Sequence, residues 1–167
     1  MIVINAFTHD TRVHKEAKTL AAAGYNVMVY ALWEAGLPYQ EARAGYQICR
    51  IPLYSCRWKG GGIAPLIKYI EFTVRVWQQM SRQPADVIHA HDVMPLPIAW
   101  MGSQRMSTRL FYDAHELETG RNFDSTRLAG FYRQLWAWTE RFFIRRADAV
   151  ITVCDSIADE LVRLYGI

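Results

Sequence analysis

The sequence has little of what marks secreted, membrane-spanning or nucleic-acid-binding proteins. Its three cysteines, Cys49, Cys56 and Cys154, show no CxxC spacing, so we expect reduced thiols rather than disulfides or a zinc site. Every apolar run is broken within about ten residues, whereas a membrane-spanning helix needs about twenty. The net charge is only +3, which permits an anionic partner without requiring nucleic acid. The first residues enter a strand pattern directly, so we expect no signal peptide and a cytoplasmic protein.

Two common kinds of catalytic motif are also missing. The sequence contains no G-x-G-x-x-G and no P-loop, so the usual dinucleotide or ATP site is not supported. No Ser-His-Asp or Cys-His set offers a credible nucleophile. What is present is a globular composition, with 51% hydrophobic and 21% charged residues over 167 positions. This length is enough for one domain with its own core.

Strand and helix patterns alternate along almost the whole chain. We predict strands over residues 1–5, 26–32, 46–51, 86–92, 110–114 and 149–154, and helices over 12–23, 65–81, 95–107, 128–146 and 155–165. This alternation predicts a Rossmann-like, doubly wound parallel sheet with right-handed crossovers. We expect Cys154 to lie in the core and Asp155 or Ser156 to cap the last helix. The residues that we expect on the inner face of the helix over 128–146 are Phe131, Leu135, Trp138 and Phe142.

Two of the predicted strands end in an imidazole followed by a carboxylate. Residues 87–92 are Val-Ile-His-Ala-His-Asp, and residues 110–116 are Leu-Phe-Tyr-Asp-Ala-His-Glu. In an open parallel sheet, ligands bind just beyond the carboxyl ends of the strands. An imidazole at that edge can donate a hydrogen bond to a polyol or orient an anion. We therefore expect one site there, lined by His91, Asp92, His115 and Glu116.

Other interpretations of these two strands stay open. The H-x-H-D string also fits metal binding, so a second hypothesis is a metal-dependent hydrolase that uses His89, His91, Asp92, Asp113 and His115. A third hypothesis is a non-catalytic binding module of flavodoxin-like type. For His89 by itself we favour a semi-buried structural histidine, and a loop cap explains Glu116 as well as a catalytic base does.

The first strand-to-helix turn is the second candidate site. It contains Thr8, His9, Asp10 and Arg12, and backbone amides at a helix N-terminus attract phosphate or carboxylate groups. The alternative is structural: Asp10 or Thr11 then serves as the helix N-cap, and Arg12 is a solvated residue of the first turn.

Basic residues recur between residues 57 and 82. Lys68, Arg75 and Arg82 are spaced by seven and share one side of a predicted helix, opposite Ile67, Ile70, Val74 and Trp77. We favour a solvated basic face with the apolar face packed on the sheet. The alternative is attachment to an anionic membrane surface through Arg57, Lys59, Lys68, Arg75 and Arg82, with the protein peripheral at the inner face of the membrane.

Taken together, five segments carry a resemblance to a known family. In order they are Asp10-Thr11-Arg12-Val13 with Glu16, Ala17 and Leu20; Gly24-Tyr25-Asn26-Val27; residues 86–92; residues 112–116; and residues 146–153 with Ser156, Glu160 and Leu161. Over essentially its whole length the chain resembles the N-terminal half of family 4 glycosyltransferases, which have the GT-B fold. The resemblance implies a retaining enzyme of polysaccharide biosynthesis that moves a hexose from a nucleotide-sugar to a glycan or lipid-linked acceptor. It implies neither a catalytic metal nor a cofactor.

The resemblance also assigns roles to the candidate residues. Thr8, His9, Asp10 and Arg12 lie near the donor phosphates, and His115 contacts the transferred sugar. His91, Asp92 and Glu116 line the acceptor side. Many relatives have glycines in the first loop, where this chain has Thr8, His9 and Asp10.

The resemblance further implies a second Rossmann-like domain with a Glu-x7-Glu pair that grips the donor. No two glutamates in residues 1–167 are eight positions apart. We therefore expect this chain to be the acceptor-side domain of a longer enzyme, and to be inactive alone.

Overall fold

The structure is a computed structural model that describes residues 1–57, 63–115 and 129–167. The chain divides into two compact units, Met1–Arg82 and Gln83–Ile167. In each unit, strands and helices follow one another largely as the sequence predicts. Among the described residues, no helix is both long enough and apolar enough to cross a membrane.

The unit Met1–Arg82 holds a three-stranded sheet and two helices. Its elements are helix α1 (Thr11–Ala22), strands β1 (Met28–Leu32), β2 (Gln40–Arg43) and β3 (Tyr46–Ile51), a 3-10 turn (Tyr54–Arg57) and helix α2 (Ala64–Met80). β1 pairs parallel with β3, and β2 pairs antiparallel with β3. Residues 1–5 run parallel to β1, and backbone hydrogen bonds join the Tyr30 N–H to the Met1 carbonyl, the Val3 N–H to the Tyr30 carbonyl and the Leu32 N–H to the Asn5 carbonyl. The first predicted strand therefore pairs with the sheet, although only Ile2 forms a regular bridge.

Strand β2 is an element that the sequence pattern did not predict. Its four residues are mostly exposed, because it lies at the edge of the sheet, so it lacks the apolar run that marks a buried strand. A two-residue turn joins it to β3, with positive φ at both Ala44 (50°) and Gly45 (88°). Such turns suit the twist of a hairpin, and Gly45 adopts this conformation without strain.

The core of this unit forms between α1 and the parallel strands. Val13 and Ala17, one turn apart on α1, are fully buried, and they belong to one cluster with Val29 of β1 and Ile48 of β3. Full burial of a valine or isoleucine side chain contributes roughly 1.5–3 kcal/mol to the free energy of unfolding. This packing fixes the start of α1, and with it the first strand-to-helix turn.

The unit Gln83–Ile167 holds a parallel sheet of three strands in the order β4-β5-β6. Its elements are β4 (Val87–His91), α3 (Leu96–Met106), β5 (Arg109–Ala114), α4 (Ala129–Phe143), a 3-10 turn (Ile144–Arg146), β6 (Ala149–Thr152) and α5 (Asp155–Tyr165). β5 is the central strand, since it pairs with β4 on one side and with β6 on the other. Both predicted strands that end in His and a carboxylate are therefore neighbours.

The predicted inner face of α4 was wrong. Phe131 and Trp138 are 58% and 60% exposed, whereas the buried residues of this segment include Trp136, Glu140 and Ile144, which are four positions apart. The helix has apolar residues on more than one side, so its periodicity alone did not decide which side faces the sheet. Trp138 instead stacks on Phe142, with 5.4 Å between the ring centroids.

The prediction that Cys154 lies in the core was also wrong. β6 ends at Thr152, and Cys154 is exposed at the N-cap position of α5 without a side-chain cap bond. Asp155 is therefore the first residue of α5 rather than its cap, and its carboxylate lies near the positive end of the helix dipole. Cys154 instead lies with its Sγ 3.1 Å from the Ser156 hydroxyl.

A buried carboxylate connects three elements of this unit. Glu140 of α4 accepts hydrogen bonds from the hydroxyls of Tyr112 in β5, at 2.6 Å, and Tyr165 in α5, at 2.7 Å. Burial raises the pKa of Glu140 above its usual range, and the two hydroxyl donors offset only part of that effect. The raised pKa means that ionising Glu140 costs more free energy in the folded chain than in the unfolded chain, so the ionised form lowers stability.

We expect the substitution Glu140→Gln to stabilise the protein at neutral pH. A raised folded pKa means that wild-type stability is lost as pH rises from about 4.5 through the folded pKa, whereas glutamine does not titrate. Glutamine can still accept one hydroxyl bond and donate another. Urea unfolding at several pH values from 4.5 to 8 should show a gain that grows with pH.

Two variants control this measurement. Tyr165→Phe removes one donor to the buried carboxylate and should cost about 1.5–3 kcal/mol. Glu160→Gln changes a partly exposed glutamate on α5 that pairs with Arg163, and it should give no stabilisation at neutral pH. A pH-independent effect of Glu140→Gln would contradict the assignment.

Candidate functional site

The carboxyl edge of the parallel sheet brings together the ends of β4 and β5. In the β4–β5 register His91 lies opposite Asp113. The next residue, Asp92, donates its backbone N–H to the Asp113 carbonyl at 2.9 Å. The two strand ends are thus locked by the sheet itself, and His115 follows β5 by one residue.

Asp113 lies at the centre of this arrangement. Its side chain is 2% exposed, and one carboxylate oxygen, Oδ2, lies 3.3 Å from His91 Nδ1 and 3.2 Å from His115 Nε2. His115 Nε2 is within hydrogen-bond distance of Asp113, and a buried carboxylate needs partners because burial without them costs several kcal/mol. We call His91, Asp92, Asp113 and His115 the Asp113 cluster.

His115 is where the Asp113 cluster reaches solvent. Its side chain is 20% exposed, and that of Asp92 is 30% exposed, whereas the His91 side chain is only 1% exposed. His115 Nδ1 lies 3.8 Å from Asp92 Oδ2, which is too long for a direct hydrogen bond. A ligand that enters here meets the outer edge of one imidazole and one carboxylate.

Asp92 adopts a backbone conformation that few residues other than glycine adopt. Its φ is +74°, and aspartate and asparagine tolerate this left-handed region better than most non-glycine residues. Strain of this kind persists where the surrounding structure imposes it, and it concentrates at functional sites. In Asp92 the conformation places a carboxylate beside His115.

His89 lies behind the Asp113 cluster. It is buried, its ring stacks on His91 with 4.2 Å between centroids, and it meets Phe111 edge-on. This supports the interpretation of His89 as a structural histidine. One possible ligand atom each from His89, His91 and Asp113 lies within 4.8 Å of the others, so imidazole and carboxylate donors for a metal such as Zn²⁺ do converge.

The first strand-to-helix turn is held by its own hydrogen bonds. Asp10 caps α1, since its Oδ1 accepts from the Val13 N–H at 3.2 Å, and its Oδ2 accepts from Asn5 Nδ2 at 3.0 Å. The structural interpretation of Asp10 is therefore confirmed. Thr8 and His9 are exposed and contact each other, with 2.9 Å between Oγ1 and Nδ1.

Two buried residues, Phe7 and Arg50, support the first strand-to-helix turn. Phe7 is buried with φ at +55°, so a phenylalanine holds a conformation that glycine adopts more readily. Arg50, 3% exposed, donates from Nε to the Ala6 carbonyl at 3.1 Å and pairs with Glu41 at 2.8 Å. A buried cation thus anchors the loop. Arg12, predicted to lie near donor phosphates, is half-buried in the first turn of α1.

The basic segment differs from its prediction in two respects. α2 buries Ala64, Phe72, Val76 and Met80, whereas Ile70 and Val74 of the predicted inner face are 52% and 47% exposed. Arg75 pairs with Glu71 at 2.8 Å, and Arg82 lies beyond the last residue of the helix. Lys59, the Arg57 side chain and Glu116 lie outside the described residues.

The structure thus unites His91, Asp92 and His115, three of the predicted site residues, in one unit, and Thr8, His9 and Asp10 in the other. It adds Asp113 as the shared partner, a role that the sequence analysis did not assign. The D-x-H spacing at the end of β5 was the one sequence feature that could have indicated this contact, because alternation along a strand places Asp113 and His115 on the same side. His115 lies past the end of the strand, however, where alternation need not hold.

We expect Asp92→Gly to be more stable than Asp92→Ala by about 1 kcal/mol. Both substitutions remove the carboxylate, but only alanine keeps a Cβ in the left-handed region. Thermal or urea unfolding of the two variants measures the difference. Equal stability, or a more stable alanine variant, would show that the backbone at Asp92 carries no strain.

Comparison with known proteins connects this geometry to a family. A model described as "Glycosyl transferase 4-like domain" matches residues 9–167. Alpha-maltose-1-phosphate synthase from Mycolicibacterium smegmatis is 31% identical over 85 residues, which are 51% of this chain and 22% of that protein.

Two structures of sucrose-phosphate synthase from Thermosynechococcus elongatus are similar in fold. Their TM-scores are 0.70 and 0.72 at 14% and 17% identity; the matches cover 99% and 98% of this chain, and 82% and 41% of those chains. This chain thus spans less than half of the maltose-1-phosphate synthase and of the longer sucrose-phosphate synthase chain. The likeness confirms the predicted Rossmann-like half of a GT-B fold. With a family model that covers all but its first eight residues, this chain belongs to the glycosyl transferase 4-like domain family.

Proposed function

We propose that this chain is the acceptor-binding domain of a retaining glycosyltransferase that moves a hexose from a nucleotide-sugar to a glycan or lipid-linked acceptor. The observation that carries the proposal is the Asp113 cluster, which lies at the carboxyl edge of the sheet and opens to solvent at His115 and Asp92. Family membership favours this function over a metal-dependent hydrolase or a non-catalytic binding module. The similar proteins are, by name, synthases of maltose-1-phosphate and sucrose-phosphate.

The charges of the Asp113 cluster favour sugar hydroxyls over phosphate as its ligand. Asp92 and Asp113 place two carboxylates next to His115, and carboxylates repel the phosphate oxygens of a donor. Hydroxyl groups, in contrast, donate hydrogen bonds to carboxylates and to an unprotonated ring nitrogen. We assign the transferred sugar to His115, and the acceptor hydroxyls to Asp92 and Glu116. The predicted acceptor contact of His91 is corrected by its burial, since its side chain is only 1% exposed and it lies behind Asp113.

We assign the donor diphosphate to the first strand-to-helix turn. The N-terminus of α1 offers positively polarised amides to an anion, and Thr8, His9 and Arg12 contribute polar side chains there. Asp10 contributes through its cap, which keeps the first turn of the helix in place. Catalysis then depends on positioning the reactants and on stabilising the leaving diphosphate, with no protein nucleophile.

In the full-length enzyme, His115→Ala should lower kcat/KM for sugar transfer by roughly 10- to 100-fold. The substitution removes a hydrogen bond to the reacting sugar, and this loss corresponds to about 1.5–3 kcal/mol. The free energy of unfolding should fall by less than about 2 kcal/mol, because Asp113 keeps His91 as a partner. Transfer assays and urea unfolding of the same variant separate the two effects.

His14→Ala is the matched control for this experiment. His14 and Tyr46 both belong to the unit Met1–Arg82, and His14 Nδ1 lies 2.6 Å from the Tyr46 hydroxyl. Loss of this contact should lower stability while leaving kcat/KM near the wild-type value. Near-normal transfer by His115→Ala would remove His115 from the site.

We also propose that α2 attaches the protein to an anionic membrane surface. Ile63, Leu66, Ile70 and Val74 are all exposed, with spacings of three, four and four residues, so they form one apolar line along the helix. Lys68, Arg75 and Arg82 lie on or just beyond the same element. Exposed apolar side chains flanked by basic ones bind lipid surfaces by burial and by charge.

Replacing Ile70 and Val74 together by aspartate should reduce flotation with vesicles containing phosphatidylglycerol by roughly tenfold or more. Val162 of α5 is 52% exposed, so Val162→Asp is the control for a negative charge at an exposed apolar position on another helix. Flotation of the wild type that does not depend on anionic lipid, or that both variants lower equally, would refute attachment through α2.

A further inference from the structure

We propose that Tyr39, stacked on Trp33, is a platform on which a hexopyranose ring of a transfer substrate packs. We call Trp33 and Tyr39 the aromatic platform. The proposal rests on the proposed function only for the identity of the ligand as a sugar. It goes beyond that function by adding a sugar site in the unit Met1–Arg82, which holds none of the residues assigned above to a sugar.

The aromatic platform lies at the carboxyl edge of the parallel strands β1 and β3. Trp33 directly follows β1, and its backbone N–H donates to the carbonyl of Ile51, the last residue of β3, at 3.0 Å. Tyr39 directly precedes β2, which is antiparallel to β3, and its carbonyl accepts from the Arg50 N–H at 2.7 Å. Both aromatic residues are therefore placed at the edge beyond which parallel strands bind their ligands.

The two rings of the aromatic platform are stacked. Their centroids are 5.2 Å apart, and their planes differ by 25°. Trp33 is half-buried, whereas Tyr39 is 56% exposed. Because Trp33 covers one face of the Tyr39 ring, the exposed surface of Tyr39 lies on its other face and along its edge. The pair thus offers a flat apolar surface that is supported from behind.

The loop between β1 and β2 holds the aromatic platform in place. The Trp33 indole N–H donates to the Leu37 carbonyl at 2.7 Å, and the Leu37 N–H donates to the Glu34 carbonyl at 3.1 Å. Gly36, within this turn, has a φ of 89°, which glycine adopts without strain. A surface that is fixed before its ligand arrives loses little conformational entropy on binding.

Arg50 connects this loop to the first strand-to-helix turn. Its Nη1 donates to the Pro38 carbonyl at 3.1 Å, and its Nε donates to the Ala6 carbonyl at 3.1 Å. The aromatic platform and the turn to which we assign the donor diphosphate therefore share one buried anchor. A sugar on the platform would lie on the same edge of the sheet as that turn.

The chemistry of the aromatic platform favours a hexopyranose ring over a nucleobase. The C–H groups on a face of a pyranose form an apolar surface that packs on the negative face of an aromatic ring. Glu34, next to Trp33, is exposed. Its carboxylate can accept hydrogen bonds from sugar hydroxyls, whereas it repels the phosphates that accompany a nucleobase. The chain also belongs to a glycosyltransferase family, whose substrates are sugars.

The binding test is 15N NMR of the intact protein, observed at the indole N–H of Trp33. This group donates within the loop, so it reports on the aromatic platform, and Trp33→Phe assigns its signal. Increasing concentrations of methyl β-D-glucopyranoside should shift the signal along a saturating curve. Uridine, the nucleobase probe, should leave the signal in place.

Three variants show whether the Tyr39 ring carries the binding. Tyr39→Ser removes the ring and should weaken pyranoside binding by roughly tenfold, whereas Tyr39→Phe keeps the ring and should retain binding. Tyr25→Ser is the matched control, since Tyr25 is 66% exposed in the same unit but precedes the amino end of β1. It should bind the pyranoside as the wild type does.

Transfer assays on the full-length enzyme distinguish two sources of the hexopyranose ring. In Tyr39→Ser, an acceptor KM raised by roughly tenfold with an unchanged donor KM assigns the aromatic platform to the acceptor glycan. The reverse result assigns it to the hexose of the donor. Unchanged KM values for both substrates overturn its role in transfer.

The outcomes also separate this proposal from the proposed function. A wild-type Trp33 signal that ignores the pyranoside, or that responds only to uridine, overturns the aromatic platform and leaves the role of His115 untouched. Equal binding by Tyr39→Ser overturns it as well, and should that variant not fold, the wild-type titration decides. Full transfer by His115→Ala removes His115 from the reaction and leaves the aromatic platform standing.

Discussion

The parallel pairing of β4 with β5 is the constraint on which the candidate site depends. Because His91 lies opposite Asp113 in that register, the two side chains meet without any loop having to position them. A shift of one residue would turn each side chain to the other face of the sheet. The hydrogen bond from the Asp92 backbone to the Asp113 carbonyl continues the pairing past the strand end. The polar residues are thus placed by the same hydrogen bonds that hold the sheet.

Strand β5 supplies buried polar groups to both of its faces. On one face Asp113 Oδ2 is hydrogen-bonded to His115 Nε2 and lies 3.3 Å from His91 Nδ1, and on the other face the neighbouring Tyr112 donates to Glu140. Each buried carboxylate has two close partners, which is what burial of a charge requires. The two arrangements differ in their exposure. Glu140 is enclosed between helices, whereas the Asp113 cluster opens through His115 and Asp92, so only the latter can meet a ligand.

The sequence predicted most elements because their apolar residues repeat with a clear period. β3 was predicted at its observed bounds, and α1, α2, β4 and α3 within one or two residues at most ends. Polar edge strand β2 was missed, since exposure removes the pattern by which a strand is recognised. The inward face of α4 was mistaken because aromatic residues lie on several of its sides. Cys154 was placed in the core because an apolar run does not show where its strand stops.

By itself, the sequence determined the order of strands and helices, the two strand ends that carry histidine and carboxylate, and the resemblance to family 4 glycosyltransferases. These properties follow from local periodicity and from residues adjacent along the chain. Only the tertiary structure decided that one oxygen of Asp113 serves both His91 and His115, that Asp92 takes a left-handed backbone, and that Ile70 and Val74 face outward. Those outcomes depend on how neighbouring strands pair, on how the chain turns at the strand ends, and on which side of an element packs, and the periodicity of the sequence encodes none of these.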